Sequence, residues 1–154
     1  MMTFAFFVAA LLSPAQTVET PRAFVERLYA GYRDPDYNPL AKPGRIFAPP
    51  LVAAIKEDSR LSRDEVGYMD ADPLCQCQDA AGMRPLIEDV RQPARGTANA
   101  GISLAFGGSD RRDLELRLIR TRAGWRIADI ATADEPSLLD SLRRFNRRRS
   151  SQGR

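Results

Sequence analysis

Apolar positions recur every three or four residues in the first half of the chain and every second residue in the second half. After Thr20-Pro21, the side chains of Phe24, Val25, Leu28, Tyr29 and Tyr32 fall on one helical face. The Thr-Pro pair supplies an N-cap and a proline at the first helical position, so an amphipathic helix ending near Gly31 is predicted. Asp34-Pro35-Asp36-Tyr37-Asn38-Pro39 is turn chemistry, and a second helix opens at Pro49-Pro50 with Leu51, Val52 and Ile55 inward. Ser62-Arg63-Asp64-Glu65 reads as a capping box for a short third helical turn.

Past the cysteines the period changes to two. Ala98, Ala100, Ile102, Leu104 and Phe106 alternate with smaller or polar residues, Gly107-Gly108-Ser109-Asp110 turns, and Leu114, Leu116 and Leu118 alternate with charges. These two runs predict an antiparallel hairpin. Arg122-Ala123-Gly124 turns the chain into a tryptophan-bearing strand over residues 125–130, and a shorter strand over 85–90 precedes the hairpin. Pro136 opens a last helix with Leu138, Leu139, Leu142 and Phe145 apolar. The order predicts an α+β fold: N-terminal helices packed on a curved antiparallel sheet of about four strands, followed by a C-terminal helix.

Residues 4–12 form an apolar run too short to cross a bilayer as a helix, and Ser13-Pro14-Ala15 offers small residues to signal peptidase. A signal peptide over residues 1–15, cleaved near Ala15, is expected, although Met1-Met2-Thr3 lacks the usual basic residues. An N-terminal core helix or a retained anchor is the alternative. Export to the periplasm or medium then leaves one α+β domain over residues 16–145 and a basic, disordered tail over 146–154. At 154 residues there is room for a single domain.

The net charge of +3 belongs to the C-terminus, where Arg143, Arg144, Arg147, Arg148, Arg149 and Arg154 cluster; without them acidic residues outnumber basic ones. Export argues against nucleic acid as their partner, so the basic tail is expected to contact anionic lipid or cell wall, if anything. The chain contains no histidine. That excludes a Ser-His-Asp triad, a Cys-His pair, imidazole-ligated zinc and a histidine pH switch.

The only cysteines, Cys75 and Cys77, lie in the polar segment Asp72-Pro73-Leu74-Cys75-Gln76-Cys77-Gln78-Asp79. In an oxidising compartment the two are each other's only partner within the chain, which predicts a local disulfide. Residues two apart in extended backbone lie near the upper limit for bridging, so the loop must turn tightly. Thiol-disulfide exchange is one alternative, opposed by Asp72 and Asp79, which would raise a thiol's pKa. Copper(I) binding is another; a closed zinc site wants four ligands, and only carboxylates are near. No metal and no cofactor is assigned.

The early helix with its tyrosine pair and the late Gly124-Trp125-Arg126-Ile127-Ala128-Asp129-Ile130 strand resemble the nuclear transport factor 2-like superfamily of cone-shaped α+β domains. More narrowly, Thr20-Pro21-Arg22-Ala23-Phe24-Val25 with Leu28-Tyr29, and Asp72-Pro73-Leu74-Cys75 with Gln78-Asp79, are similar to a bacterial envelope family known only as a domain of unknown function. The resemblance covers residues 19–143. It implies export and a cone-like fold, and it carries no activity.

A cone's open end could gather Tyr29, Tyr32, Asp72, Asp79 and Asp129. Asp79 with Tyr29 or Tyr32 is the candidate proton-transfer group, and Asp72, Gln78 and Asp129 are candidate ligand contacts. Each has a plainer role: Asp72 before Pro73 forms turns, Gln78-Asp79 caps backbone amides, Asp129 pairs with an arginine, and the tyrosines are core with polar tips. The resulting expectation is a non-catalytic binding or accessory protein of the cell envelope, meeting an unknown small ligand or envelope protein. The competing reading is an enzyme, either a thiol-disulfide oxidoreductase or a proton-transfer catalyst.

Overall fold

The computed structural model describes residues 18–63 and 65–152. The expected signal peptide over residues 1–15 lies outside the described residues. The element order is α1 (Pro21–Ala30), α2 (Pro49–Ser62), β1 (Arg84–Ala94), β2 (Thr97–Ala105), β3 (Arg111–Thr121), β4 (Gly124–Thr132) and α3 (Leu138–Gln152), with short 3-10 turns at Gly31–Arg33 and Pro43–Arg45. The α+β class and the helix-then-sheet order expected from the periodicities are those of the structure.

Thr20 caps α1 as its sequence suggests: its hydroxyl accepts the Ala23 N–H at 3.1 Å, a contact worth about 1 kcal/mol. The helix tightens at Gly31, where a Cβ would stand 2.8 Å from the Tyr37 ring, so only glycine lets that ring close over the turn. Helix α2 has no side-chain cap; Pro49 and Pro50 at its start simply lack donors that would otherwise be orphaned. Ser62 is the last residue of α2 rather than the opening of a further helical turn. Its hydroxyl bonds back to the Asp58 carbonyl at 2.8 Å, and Arg63 turns the chain at φ 48°. Asp64 of the expected capping box lies outside the described residues.

The sheet is an antiparallel meander in the order β1-β2-β3-β4. Between β2 and β3 the register is unbroken, pairing Ala100 with Leu116 and Ile102 with Leu114, so alternation survives and every second side chain is inward. Elsewhere bulges interrupt it. Strand β1 runs to Ala94 rather than stopping at Val90, and register shifts after Ile87 and Arg91 bend it and break its period. It forms a sheet edge, blunted by those bulges and by Pro85 and Pro93. In β4 the partner of Arg117 is Asp129 and that of Leu118 is Ile127, leaving Ala128 as the extra residue. This is how Trp125, Ile127 and Ile130, unevenly spaced, are all buried.

The core lies between the sheet's inner face and the helices. Phe24, Val25 and Leu28 from α1, Leu51 and Ile55 from α2, and Leu138 and Leu142 from α3 meet Ile102, Leu104, Leu116, Leu118 and Ile127. Each fully buried aliphatic side chain contributes about 1.5–3 kcal/mol of transfer free energy. Residues 46–48 extend the sheet beside β4, with Ile127 N–H donating to the Ile46 carbonyl and Ala48 N–H to the Ile127 carbonyl. Among the described residues no helix is long and apolar enough to cross a membrane.

Helix α3 begins after Pro136, with the Ser137 hydroxyl accepting the Asp140 N–H at 3.1 Å, and it continues to Gln152. The stretch expected as a disordered tail from residue 146 is therefore helical as far as Gln152. Its inward residue Asn146 is buried and donates to the Ala54 carbonyl of α2 at 2.9 Å, and Arg149 pairs with Glu65 at 2.8 Å. Packing on α2 holds the helix, a stabilisation that an arginine-rich sequence does not announce.

Candidate functional site: the cysteine loop and its cavity

The loop closes on itself before it meets anything else. Asp72 Oδ1 accepts the Leu74 N–H at 2.8 Å, an Asx turn set by the Asp-Pro pair. The Asp72 carbonyl accepts from Gln76 N–H at 2.8 Å, and the Asp72 N–H donates to the Cys77 carbonyl at 3.0 Å. Gln76 takes a left-handed conformation at φ 54°, which costs a non-glycine residue about 1–2 kcal/mol. That turn brings the Cα atoms of Cys75 and Cys77 to 5.1 Å, and the two sulfurs are bonded. The tight turn that a Cys-x-Cys bridge demands is thus present.

The loop is anchored inward. Leu74 is fully buried in the core, Cys75 is inaccessible and Cys77 is 7% exposed. The Tyr29 hydroxyl donates to the Leu74 carbonyl at 2.9 Å, and the Arg112 guanidinium, lying over the Phe106 ring, donates to the Gln76 carbonyl. The Tyr32 hydroxyl donates to Asp72 Oδ2 at 2.6 Å.

Over this loop lies a cavity of about 330 Å³, lined by Tyr32, Arg33, Tyr37, Asp72, the two cysteines, Gln78 and Asp79. Tyr37 meets Tyr32 edge-on with ring centres 4.9 Å apart. Burial pushes the hydroxyls of Tyr29, Tyr32 and Tyr37 up, and the Asp72 charge adds to this; for Tyr32 the direct hydrogen bond adds further. Burial also raises Asp72, opposed by the bonds it accepts from the Tyr32 hydroxyl and the N–H groups of Leu74 and Cys75. The hydroxyls therefore stay protonated, Tyr29 donating to the Leu74 carbonyl and Tyr32 to Asp72.

The structure brings together Tyr32, Asp72, Gln78, Asp79 and the disulfide around one cavity. Tyr29 stands behind it, buried under the loop. Asp79 and Gln78 are on the exposed rim, and Asp79 Oδ1 accepts the Ala81 N–H at 2.8 Å in a second Asx turn. Asp129 is elsewhere: its Oδ1 accepts the N–H groups of Ile130 and Leu139, both at 2.9 Å, joining β4 to α3, and Arg117 reaches its Oδ2 at 3.3 Å. Tyr37 was hidden in turn chemistry; Gly31, held free of a Cβ by that ring, was its one sequence trace. Arg112 carried no sequence signal. Among the described residues no group of three or more His, Cys, Asp or Glu side chains is placed to hold a metal ion.

No protein-family model matches the chain, and no curated protein matches it. Solved structures do. The type VI native effector-immunity complex Tae3-Tai3 from Ralstonia pickettii contains a chain that aligns with a TM-score of 0.52 and 19% identity, over 74% of this chain and 95% of that one. The selenomethionine form of the same complex aligns with a TM-score of 0.51 and 20% identity, over 74% of this chain and 97% of that one. The likeness is one of fold. It spans nearly the whole of the matched chains.

Proposed function

We propose that the chain is an exported, non-catalytic binding domain whose counterpart is another protein of the cell envelope. The state of the cysteine loop carries this reading. Its sulfurs are bonded and shielded, its carboxylate is occupied by a phenol and backbone N–H groups, and its turns are closed by their own hydrogen bonds. A disulfide that exchanges with substrate must present a sulfur to an incoming thiolate; Cys75 is inaccessible and Cys77, at the cavity floor, is only 7% exposed. The fold likeness adds support of a coarser kind, since the matched chains come from a complex of two proteins, an effector and its immunity partner.

The same proposal takes residues 1–15 as a signal peptide cleaved near Ala15, with the bridged cysteines suited to an oxidising compartment. It also takes the tyrosine and tryptophan motifs as marks of a nuclear transport factor 2-like cone. A second reading rests on one contact, the Tyr32–Asp72 pair facing the cavity: in a proton-transfer catalyst Asp72, rather than the exposed Asp79, would be the base.

The test is cross-linking of the purified protein to an envelope extract, followed by native mass spectrometry. A discrete stoichiometric complex with one protein is expected, and an Asp72→Asn variant should form it equally well. Absence of any complex, together with reduction of the native disulfide as fast as in unfolded protein, would overturn the proposal.

A further inference from the structure

A groove of about 770 Å³ runs between α2 and α3, away from the cysteine loop. Small residues, Ala53 and Ala54 of α2 beside Pro50, form one wall, and Arg143, Asn146 and Arg147 form the other. Arg143 and Arg147 stand one helical turn apart on the rim, both exposed. The nearest anion to Arg143 is Asp140 at 4.0 Å in an exposed pair, and Arg147 makes no ion pair among the described residues. Glu57 stands at the groove as well, already held by Arg60 at 2.6 Å.

Asn146 is only 7% exposed. Its Nδ2 donates to the Ala54 carbonyl at 2.9 Å, which fixes the orientation of the amide, and its Oδ1 has no donor among the described residues. A buried acceptor left without a donor is costly, and native proteins rarely retain one without a use for it. The groove thus combines one guanidinium without an ion pair among the described residues, a second held only by an exposed pair at 4.0 Å, an apolar wall of short side chains and an unsatisfied acceptor.

We propose that this groove is the docking site for an acidic segment of the partner protein, an inference that rests on the protein-binding reading above. The guanidiniums supply forked donors for carboxylates. The alanines leave room for the segment's apolar side chains. Backbone N–H groups spaced along a polypeptide supply the donor that the Asn146 Oδ1 lacks, and the glycerol hydroxyls of phosphatidylglycerol are the competing donors that the vesicle arm below tests.

The experiment titrates isotope-labelled protein with an amphipathic peptide bearing Glu and Leu at helical spacing. A Lys-for-Glu counterpart and phosphatidylglycerol vesicles are run in parallel, all at physiological ionic strength. The Glu peptide is expected to shift the amide resonances of Ala53, Ala54, Arg143 and Arg147, and Arg143→Glu/Arg147→Glu should weaken its binding by about tenfold or more. Shifts confined to the tyrosine cavity, equal binding of the Lys peptide, arginine-dependent binding to vesicles in place of peptide, or self-association through this face would each overturn the proposal. If a protein complex forms with the charge-reversed variant as readily as with the wild type, the groove assignment falls and the binding function stands; if no complex forms at all, the binding function falls first.

Discussion

The cysteine loop and the α2–α3 groove are both concave, yet they treat polar groups in opposite ways. At the loop, Asp72 alone engages the Tyr32 hydroxyl and the N–H of Leu74 through its side chain, and Cys77 and Gln76 through its backbone. In the groove, Arg147 and the Asn146 Oδ1 have no partner among the described residues. Polar groups that satisfy one another hold a conformation; polar groups left open are available to something else. The feature with the most unusual covalent chemistry is in this sense the more structural of the two.

That contrast can be broken at the loop first. Leu74→Ala removes a fully buried side chain that pins the loop to the core, and a loss of about 2–5 kcal/mol is expected in urea unfolding. A loss below about 1 kcal/mol, in the range of an ordinary surface change, would mean that the loop is not part of the core. Cys75→Ala/Cys77→Ala should cost less, about 1–2 kcal/mol, because a ring closed over a sequence separation of 2 constrains the unfolded chain little. Thermal unfolding with and without a reducing agent checks this, since the variant should be insensitive to reductant.

Acidity sharpens the comparison further. Burial raises Asp72 above its ordinary value of 3.8, so the folded state binds its proton more readily than the unfolded chain. Its contribution to stability is full below pH 3.8 and is lost as pH rises through the folded pKa. Asp72→Asn cannot titrate, so its urea midpoint should gain on that of the wild type as pH rises through this window. A difference that stays constant with pH would show that Asp72 is not desolvated. The smallest effect is expected in the groove: Arg143→Glu/Arg147→Glu should change stability by no more than about 0.5 kcal/mol, as exposed residues do.

Legibility in the sequence follows the same division. Strands β2 and β3 were readable because their register is continuous, so inward positions keep a period of two from Ala98 to Leu104 and from Leu114 to Leu118. Strand β1 was foreshortened because two bulges reset its alternation, which no local pattern reveals. The Cys75–Cys77 bridge was readable by elimination, and Asp72 and Tyr32 were named as candidates. Their hydrogen bond was not, since it joins residues forty positions apart. Asp129 looked like a site residue because a half-buried carboxylate near a tryptophan strand has no local sign of its task, which is to hold the start of α3. The groove was missed altogether. Its inward residue is an asparagine among arginines, a pattern that reads as a solvated tail until α2 is placed beside it.

The most direct measurement compares both regions in one binding assay against whichever protein the cross-linking experiment captures. Asp72→Asn and Arg143→Glu/Arg147→Glu variants, each shown to be folded, are titrated beside the wild type. The expected result is unchanged affinity for Asp72→Asn and a loss of about tenfold or more for the arginine pair. The reverse, in which the Asp72 variant loses its partner and the charge-reversed protein keeps it, would contradict the division between a structural loop and a binding groove.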